Sequence, residues 1–289
     1  VSKYKYNRFV KILSIVLIVL AVFEVVNFIL SEFTDQKAYA NAVAVSDEIW
    51  QNTENKLTNG DMLTSEDYQL IFSQTGLGRS AVEYLVENDN VQAIEEYRQY
   101  YLQDKEYSCV REGIFACHEF VTNENGDELQ NPGLANLENG DIIVTLSIHS
   151  LGWRHGHAAI VTDAENGITA QAVMIGEKSD FGTIDEWDEF PLVAVLRLKD
   201  VDETTQNEIA QFASEKLIGI NYALSAGVIG GKDFDSTPFT THCAHFVWYA
   251  YMHMGIDIDS DGGMVVTPKE ILHSDKLEVV QVYGNIMDL

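Results

Sequence analysis

The chain has 289 residues and a formal net charge of −27, from 18 Lys+Arg against 45 Asp+Glu. So acidic a protein repels a phosphate backbone, which excludes nucleic acid as a partner, while 46% hydrophobic and 10% aromatic residues are too many for a disordered acidic chain. Four prolines and three cysteines exclude the collagen-like and disulfide-scaffold classes.

The charge is uneven along the chain. Residues 1–40 hold five basic and three acidic side chains, net +2, which leaves −29 for residues 41–289. Lys3, Lys5, Arg8 and Lys11 precede an apolar run from Ile12 to Phe23 that only Ser14 interrupts, and Ala38-Tyr39-Ala40 follows as a small-residue cleavage pattern. These are the three parts of a secretory signal peptide. Val25, Val26, Phe28, Ile29 and Leu30 extend the run past Glu24, so residues 12–30 also suffice for an anchor across a bilayer of roughly 30 Å. Cleaved signal and uncleaved anchor both stay open. Either one places residues 41–289 outside the cytoplasm, secreted or membrane-anchored, and the second adds membrane contact through residues 12–30.

Residues 41–135 read as a helical N-terminal region. Thr64 with Asp67 three positions later resembles a capping box, and Tyr68, Ile71 and Phe72 follow at helical spacing. Gly76-Leu77-Gly78 breaks the pattern. Val82, Tyr84 and Leu85, then Ile94, Tyr97, Tyr100 and Tyr101, lie on later helical faces. No strand-like alternation is visible before about residue 140. Cys109 and Cys117, eight apart, fit either a disulfide in an exported protein or two free thiols.

The pattern changes at Asn139-Gly140-Asp141, and residues 136–289 read as a second domain. Strands are expected at Ile142–Leu146, Gly156–Val161, Ile168–Ile175, Leu192–Leu198 and Leu277–Val282, and helices at Asp202–Leu217 and Thr241–Met254. Asp163–Gly167 is turn chemistry that joins the second and third strands into a hairpin. Antiparallel strands flanked by helices make an α+β fold.

Chemistry concentrates on two segments. Cys243 follows Thr240-Thr241, a natural N-cap, and precedes Phe246, Val247, Ala250 and Met254 at helical spacing. That places the thiol in the first turn of a helix, where free N–H groups and the dipole favour thiolate. His157 starts the apolar run Ala158-Ala159-Ile160-Val161, where a rigid strand can hold an imidazole as base. His155 has an equal chemical claim, and spacing does not separate the two.

Gly140-Asp141-Ile142-Ile143, Gly156-His157-Ala158-Ala159-Ile160-Val161 and His242-Cys243-Ala244-His245-Phe246-Val247-Trp248-Tyr249 together resemble the circularly permuted NlpC/P60 (YiiX/YebB-like) papain-fold cysteine hydrolases. The resemblance covers about residues 139–283. It implies a permuted papain-like domain with an antiparallel sheet, and an amidase- or peptidase-type thiol hydrolase with Cys243 as nucleophile and His157 as base. It sets Gln171, in Ala170-Gln171-Ala172-Val173, where a glutamate is common. An amide still accepts a hydrogen bond from the imidazole, but it cannot stabilise imidazolium by charge. A one-residue slip of the hairpin would turn Gln171 away from His157. The implied substrate is a peptide, such as a cell-wall peptide, with an acyl lipid ester or acyl transfer as one alternative and an inactive binding domain of the same fold as another.

Other groups are weaker. The Cys243 N–H is a candidate oxyanion donor, and Tyr222 and His155 are candidate cleft residues. His242-x-x-His245 with His155, His157 and His253 invites zinc, but no C-x-x-C or H-E-x-x-H pattern is present, so no metal and no cofactor are expected. Asp185-Glu186-Trp187-Asp188-Glu189 reads as solvated surface.

Overall fold

The computed structural model describes residues 11–23, 25–26, 42–112, 116–150, 153–226, 238 and 240–289. Residues 11–23 form helix α1, and its apolar side chains from Ile12 to Phe23 are exposed. No helix among the described residues is long and apolar enough to cross a membrane. Glu24, residues 27–30 and Ala38-Tyr39-Ala40, on which the signal and anchor expectations rest, lie outside the described residues.

Four helices follow: α2 (Asp47–Asn59), α3 (Ser65–Thr75), α4 (Arg79–Glu87) and α5 (Val91–Leu102). The capping box that starts α3 has both of its bonds, with the Thr64 side chain accepting from Asp67 N–H and the Asp67 carboxylate accepting from Thr64 N–H. Gly76-Leu77-Gly78 is more than a break. Gly76 has φ +73, and a Cβ on it would lie 2.1 Å from the Val282 carbonyl oxygen. The segment hydrogen-bonds the C-terminal strand through Gly78 N–H to Val280 O and Val282 N–H to Gly76 O. Only glycine lets the backbones approach so closely.

The region expected to be helical throughout also carries strands β1 (Glu106–Glu112), β2 (Ala116–Thr122) and β3 (Glu128–Leu129). After β4 (Ile142–Thr145), strand β5 (Ile148–Ser150) joins β2 to complete a four-stranded antiparallel sheet. The alternation is hard to read because burial in this sheet does not follow apolarity: Val121 is buried but so are Glu119 and Thr122, whereas Val110 is exposed. Without one buried face, apolar residues do not sort with period two.

The main sheet is antiparallel, with β4, β6 (His157–Asp163), β7 (Ile168–Gln171), β8 (Asp180–Thr183) and β9 (Val193–Leu198), followed at the C-terminus by β12 (Leu277–Tyr283). Its strand order is β12-β9-β4-β6-β7-β8. A short parallel pair, β10 (Asn221–Tyr222) and β11 (Thr240–Thr241), lies outside it, and α6 (Glu203–Lys216), α7 (Cys243–His253) and α8 (Pro268–Leu272) complete the chain. The architecture is α+β, as expected.

Both faces of this sheet are covered. Ile142, Val144, Ala158, Ile160, Ala194 and Leu196 pack with α6, α7 and α8, while Ile143, Ala159, Val161, Val193 and Val195 pack with α2 to α5. That is why all six residues of β9 are buried and its sequence reads as an apolar run that only Arg197 interrupts. The third expected strand is shorter than Ile168–Ile175. It ends at Gln171, and Val173, Met174 and Ile175 are exposed in the turn that follows.

Candidate active site

His157 is the first residue of β6 and Cys243 is the first residue of α7. Both line one cavity of about 340 Å³, with Gln171, Glu186, Trp187 and His118. The two elements meet closely, because the backbone N–H of Ala158 points at the Cys243 sulfur together with those of Ala244 and Cys243 itself. Strand alternation puts His157 and Gln171 on the sheet face that carries Trp187, while Cys243 belongs to the core of the opposite face. The cavity therefore sits at the end of the strands, where the two faces join.

The hairpin register is settled by a bulge. Gln171 pairs with Ala159, and an irregularity between Val161 and Asp163 absorbs the remaining offset. Gln171 thus shares the face of Ala159 and of His157 two residues before it. His157 Nε2 and Gln171 Oε1 are 2.7 Å apart, and Gln171 Nε2 donates to Glu186 Oε2 at 2.9 Å. Glu186 Oε1 accepts from Thr183 N–H in a capping box.

This chain assigns the imidazole tautomer. A carboxylate only accepts, so the Gln171 amide must turn its NH2 to Glu186 and its oxygen to His157. That oxygen also only accepts, so His157 carries its proton on Nε2 and leaves Nδ1 as the basic atom. Trp187 stacks on the His157 ring, with centroids 5.5 Å apart and planes 13° apart, and keeps water from that side. Burial holds the His157 pKa below 6.5, against the opposing pull of the Gln171 bond and of Glu186. Burial pushes the Cys243 thiol up to about 11, despite the three N–H groups around it. At neutral pH the resting pair is therefore thiol and imidazole, both uncharged.

Gly156 sets the ring's position. Its φ is +65, and a Cβ there would fall 2.3 Å from the Thr145 carbonyl oxygen and 2.9 Å from Leu146 Cδ2. Backbone strain and overpacking together predict that Gly156→Ala loses about 2–5 kcal/mol of stability. Denaturant unfolding of the variant checks this.

The other candidates fall elsewhere. His155 is half-buried, with Nδ1 3.1 Å from Gly156 O and its ring near Trp153, and it does not line the cavity. Burial is also the main cause of its lowered pKa. Tyr222 lies near Cys243 through the β10–β11 pair, and its hydroxyl pKa is raised first by burial and then by the thiol, but it packs with the core and is not a lining residue.

The cap of α7 is His242, whose Nδ1 accepts from His245 N–H at 3.4 Å, and not the Thr240-Thr241 pair, which forms β11. Thr241 Oγ1 instead contacts His245 Nδ1 at 3.1 Å. His253 stacks on Phe212. Among the described residues these histidines do not converge on a common point that could hold a metal.

The acidic run 185–189 is not all solvated surface. Trp187 is buried, and Glu186 and Glu189 both face the cavity. Thr183-x-x-Glu186 is a capping-box spacing, the one local signal that this run is ordered.

No family model matches the chain, and no curated protein is found similar to it. Among solved structures, half of the chain (50%) is similar to 97% of the chain in "Crystal structure of metalloprotein yiiX from Escherichia coli O157:H7, DUF1105", at 17% sequence identity and a TM-score of 0.39.

Proposed function

We propose that this chain is an exported thiol hydrolase of permuted papain-like architecture that cleaves an amide bond, with a peptide such as a cell-wall peptide as substrate. The observation that carries the reading is the Glu186–Gln171–His157 chain, which leaves Nδ1 as the basic atom of a ring that lines the same cavity as Cys243. Gln171 orients the ring, and Glu186 stands behind it as the carboxylate that the resemblance leads one to expect at position 171.

His157 Nδ1 takes the thiol proton as the Cys243 sulfur attacks the carbonyl carbon. The Cys243 N–H, which has no helical acceptor at the helix start and points at the sulfur in the resting site, donates to the developing oxyanion. Collapse breaks the C–N bond, and the proton on Nδ1 passes to the departing amine. Water then attacks the thioester, giving its proton to Nδ1. The acid leaves and the proton returns to the sulfur.

The exposed run Val173-Met174-Ile175 beside the cavity favours one alternative substrate, an acyl chain held as an ester or thioester. A thiol-reactive acyl probe tests the chemistry. Cys243 should be labelled, and Cys243→Ala and His157→Ala should each remove the labelling. The rate should fall on the acid side only below pH 6.5, because His157 must be neutral to act as base. Labelling no faster than that of an ordinary exposed thiol, and unchanged in His157→Ala, would leave a binding domain of the same fold. Incubation with muropeptides and with acyl lipids, read by mass spectrometry, decides the substrate class.

A further inference from the structure

We infer that Cys109, Cys117 and His149 form a binding site for a zinc-class divalent ion on the outer face of the sheet that walls the cavity. One ligand atom from each of the three residues lies within 4.8 Å of the other two. The residues come from three different strands. Register places Cys117 opposite His149 across β2 and β5, and Cys109 opposite Glu119 across β1 and β2. Cys117 and Glu119 are two apart, so all of these side chains share one face.

The distances suit a metal better than a disulfide. No disulfide joins the two cysteines in this structure. Cys109 Sγ lies 3.5 Å from His149 Nε2. A tetrahedral ion with Zn–S of about 2.3 Å and Zn–N of about 2.0–2.1 Å sets its sulfur and nitrogen ligands about 3.6 Å apart. Two thiolates and a neutral imidazole cancel the charge of a divalent ion, and this soft donor set selects zinc-like metals over calcium or magnesium.

The surroundings fit as well. Glu119 Oε1 lies 3.3 Å from His149 Nε2, and Arg154 holds that carboxylate at both oxygens, at 2.7 and 2.8 Å. The paired charges border the site without adding to its net charge. Cys109 is exposed, so the fourth position opens to solvent and takes water.

The site has a consequence for the cleft. His118 and Ile148 pair across β2 and β5 and line the cavity. Cys117 and His149, their chain neighbours, point to the other side of the same strands. An ion held there pins β1, β2 and β5 together behind the cavity wall. Arg154, three residues before His157, extends the link, since it joins Glu119 to the Leu146 carbonyl.

Titrating the reduced, metal-free full chain with Co²⁺ and with Zn²⁺ tests the inference. Co²⁺ should bind one to one with thiolate charge-transfer bands and the visible bands of a tetrahedral ion, and Zn²⁺ should displace it. Cys117→Ser and His149→Ala should each weaken binding by about 100-fold or more, while Cys243→Ala leaves it unchanged. Cys109→Ser, at an exposed position, gives the same result in a variant whose folding is not in question. Three results would each overturn the site: no thiolate bands with both thiols reacting freely in excess Zn²⁺, equal affinity in the variants, or a Cys109–Cys117 disulfide in the native protein. None of these readouts depends on hydrolysis.

Discussion

Arg197→Ala should lower the free energy of unfolding by about 3–5 kcal/mol, a large part of the roughly 5–15 kcal/mol typical of a folded domain. The guanidinium of Arg197 on β9 bonds Asp141 Oδ1 at 2.8 Å and Oδ2 at 2.7 Å, and also Glu138 and the Asn136 carbonyl. Asp141 is fully buried at the start of β4. Burial already pushes its carboxyl up to about 6, although Arg197 pulls it down.

Removing the arginine leaves a buried carboxylate without its countercharge, which is far costlier than never having had the pair. The loss should also depend on pH. An acid whose folded pKa is raised is most easily accommodated where it is protonated, and its ionisation penalty appears as pH rises through that pKa. Arg197→Ala should therefore be less destabilising at pH 5 than at pH 8. Urea unfolding at the two values measures it. An equal loss at both would mean that the lost packing of the arginine stem, and not the orphaned charge, is the cause. Replacing both partners, Asp141→Leu with Arg197→Met, should recover most of the stability, because apolar groups leave no charge to desolvate.

Exchanging Gln171 and Glu186 should move the charge against the imidazole. In Gln171→Glu alone, the introduced carboxylate lies about as close to Glu186 as the present 2.9 Å contact. Two carboxylates at that range cannot both ionise near neutral pH, so one of them takes a strongly raised pKa. Glu186→Gln in the same chain removes the repulsion and lets the amide at 186 donate to the new carboxylate. The carboxylate then faces His157 Nε2 directly, and the His157 pKa, now held below 6.5 by burial, should rise.

NMR titration of the His157 ring follows the change, and the acid limb of the labelling rate should rise with it. An unmoved imidazole in the double variant would mean that Gln171 does not control the ring. Glu186→Ala alone should loosen the amide, because nothing then forces its oxygen toward His157.

Much of this site is legible locally. Cys243 at a helix start and His157 at a strand start are each visible in a window of about ten residues, whereas Gln171 enters only through the family resemblance. Local spacing reports where an element begins and which side chains share its face. The α+β class follows from the same periodicity, and so does the capping box at Thr64 and Asp67.

What the chain does not declare locally is what meets what. Asp141 and Arg197 lie 56 positions apart, and neither flank marks them as a pair. Glu186 sits in a run that looks like solvated acid until β8 and its 3₁₀ turn fold it against Gln171. Two isolated cysteines and a histidine became a cluster only when β5 paired with β2. The strands that hold them show no apolar alternation, because the sheet buries polar Glu119 and Thr122 beside Val121 and exposes Val110. The choice between His155 and His157 was likewise tertiary, since both are imidazoles on one short segment and only one reaches the cavity. Sequence alone determined the α+β class, most strands of the main sheet and the helices with marked periodicity. Closure of the sheets decided the contacts between them, because those depend on which distant strands lie side by side.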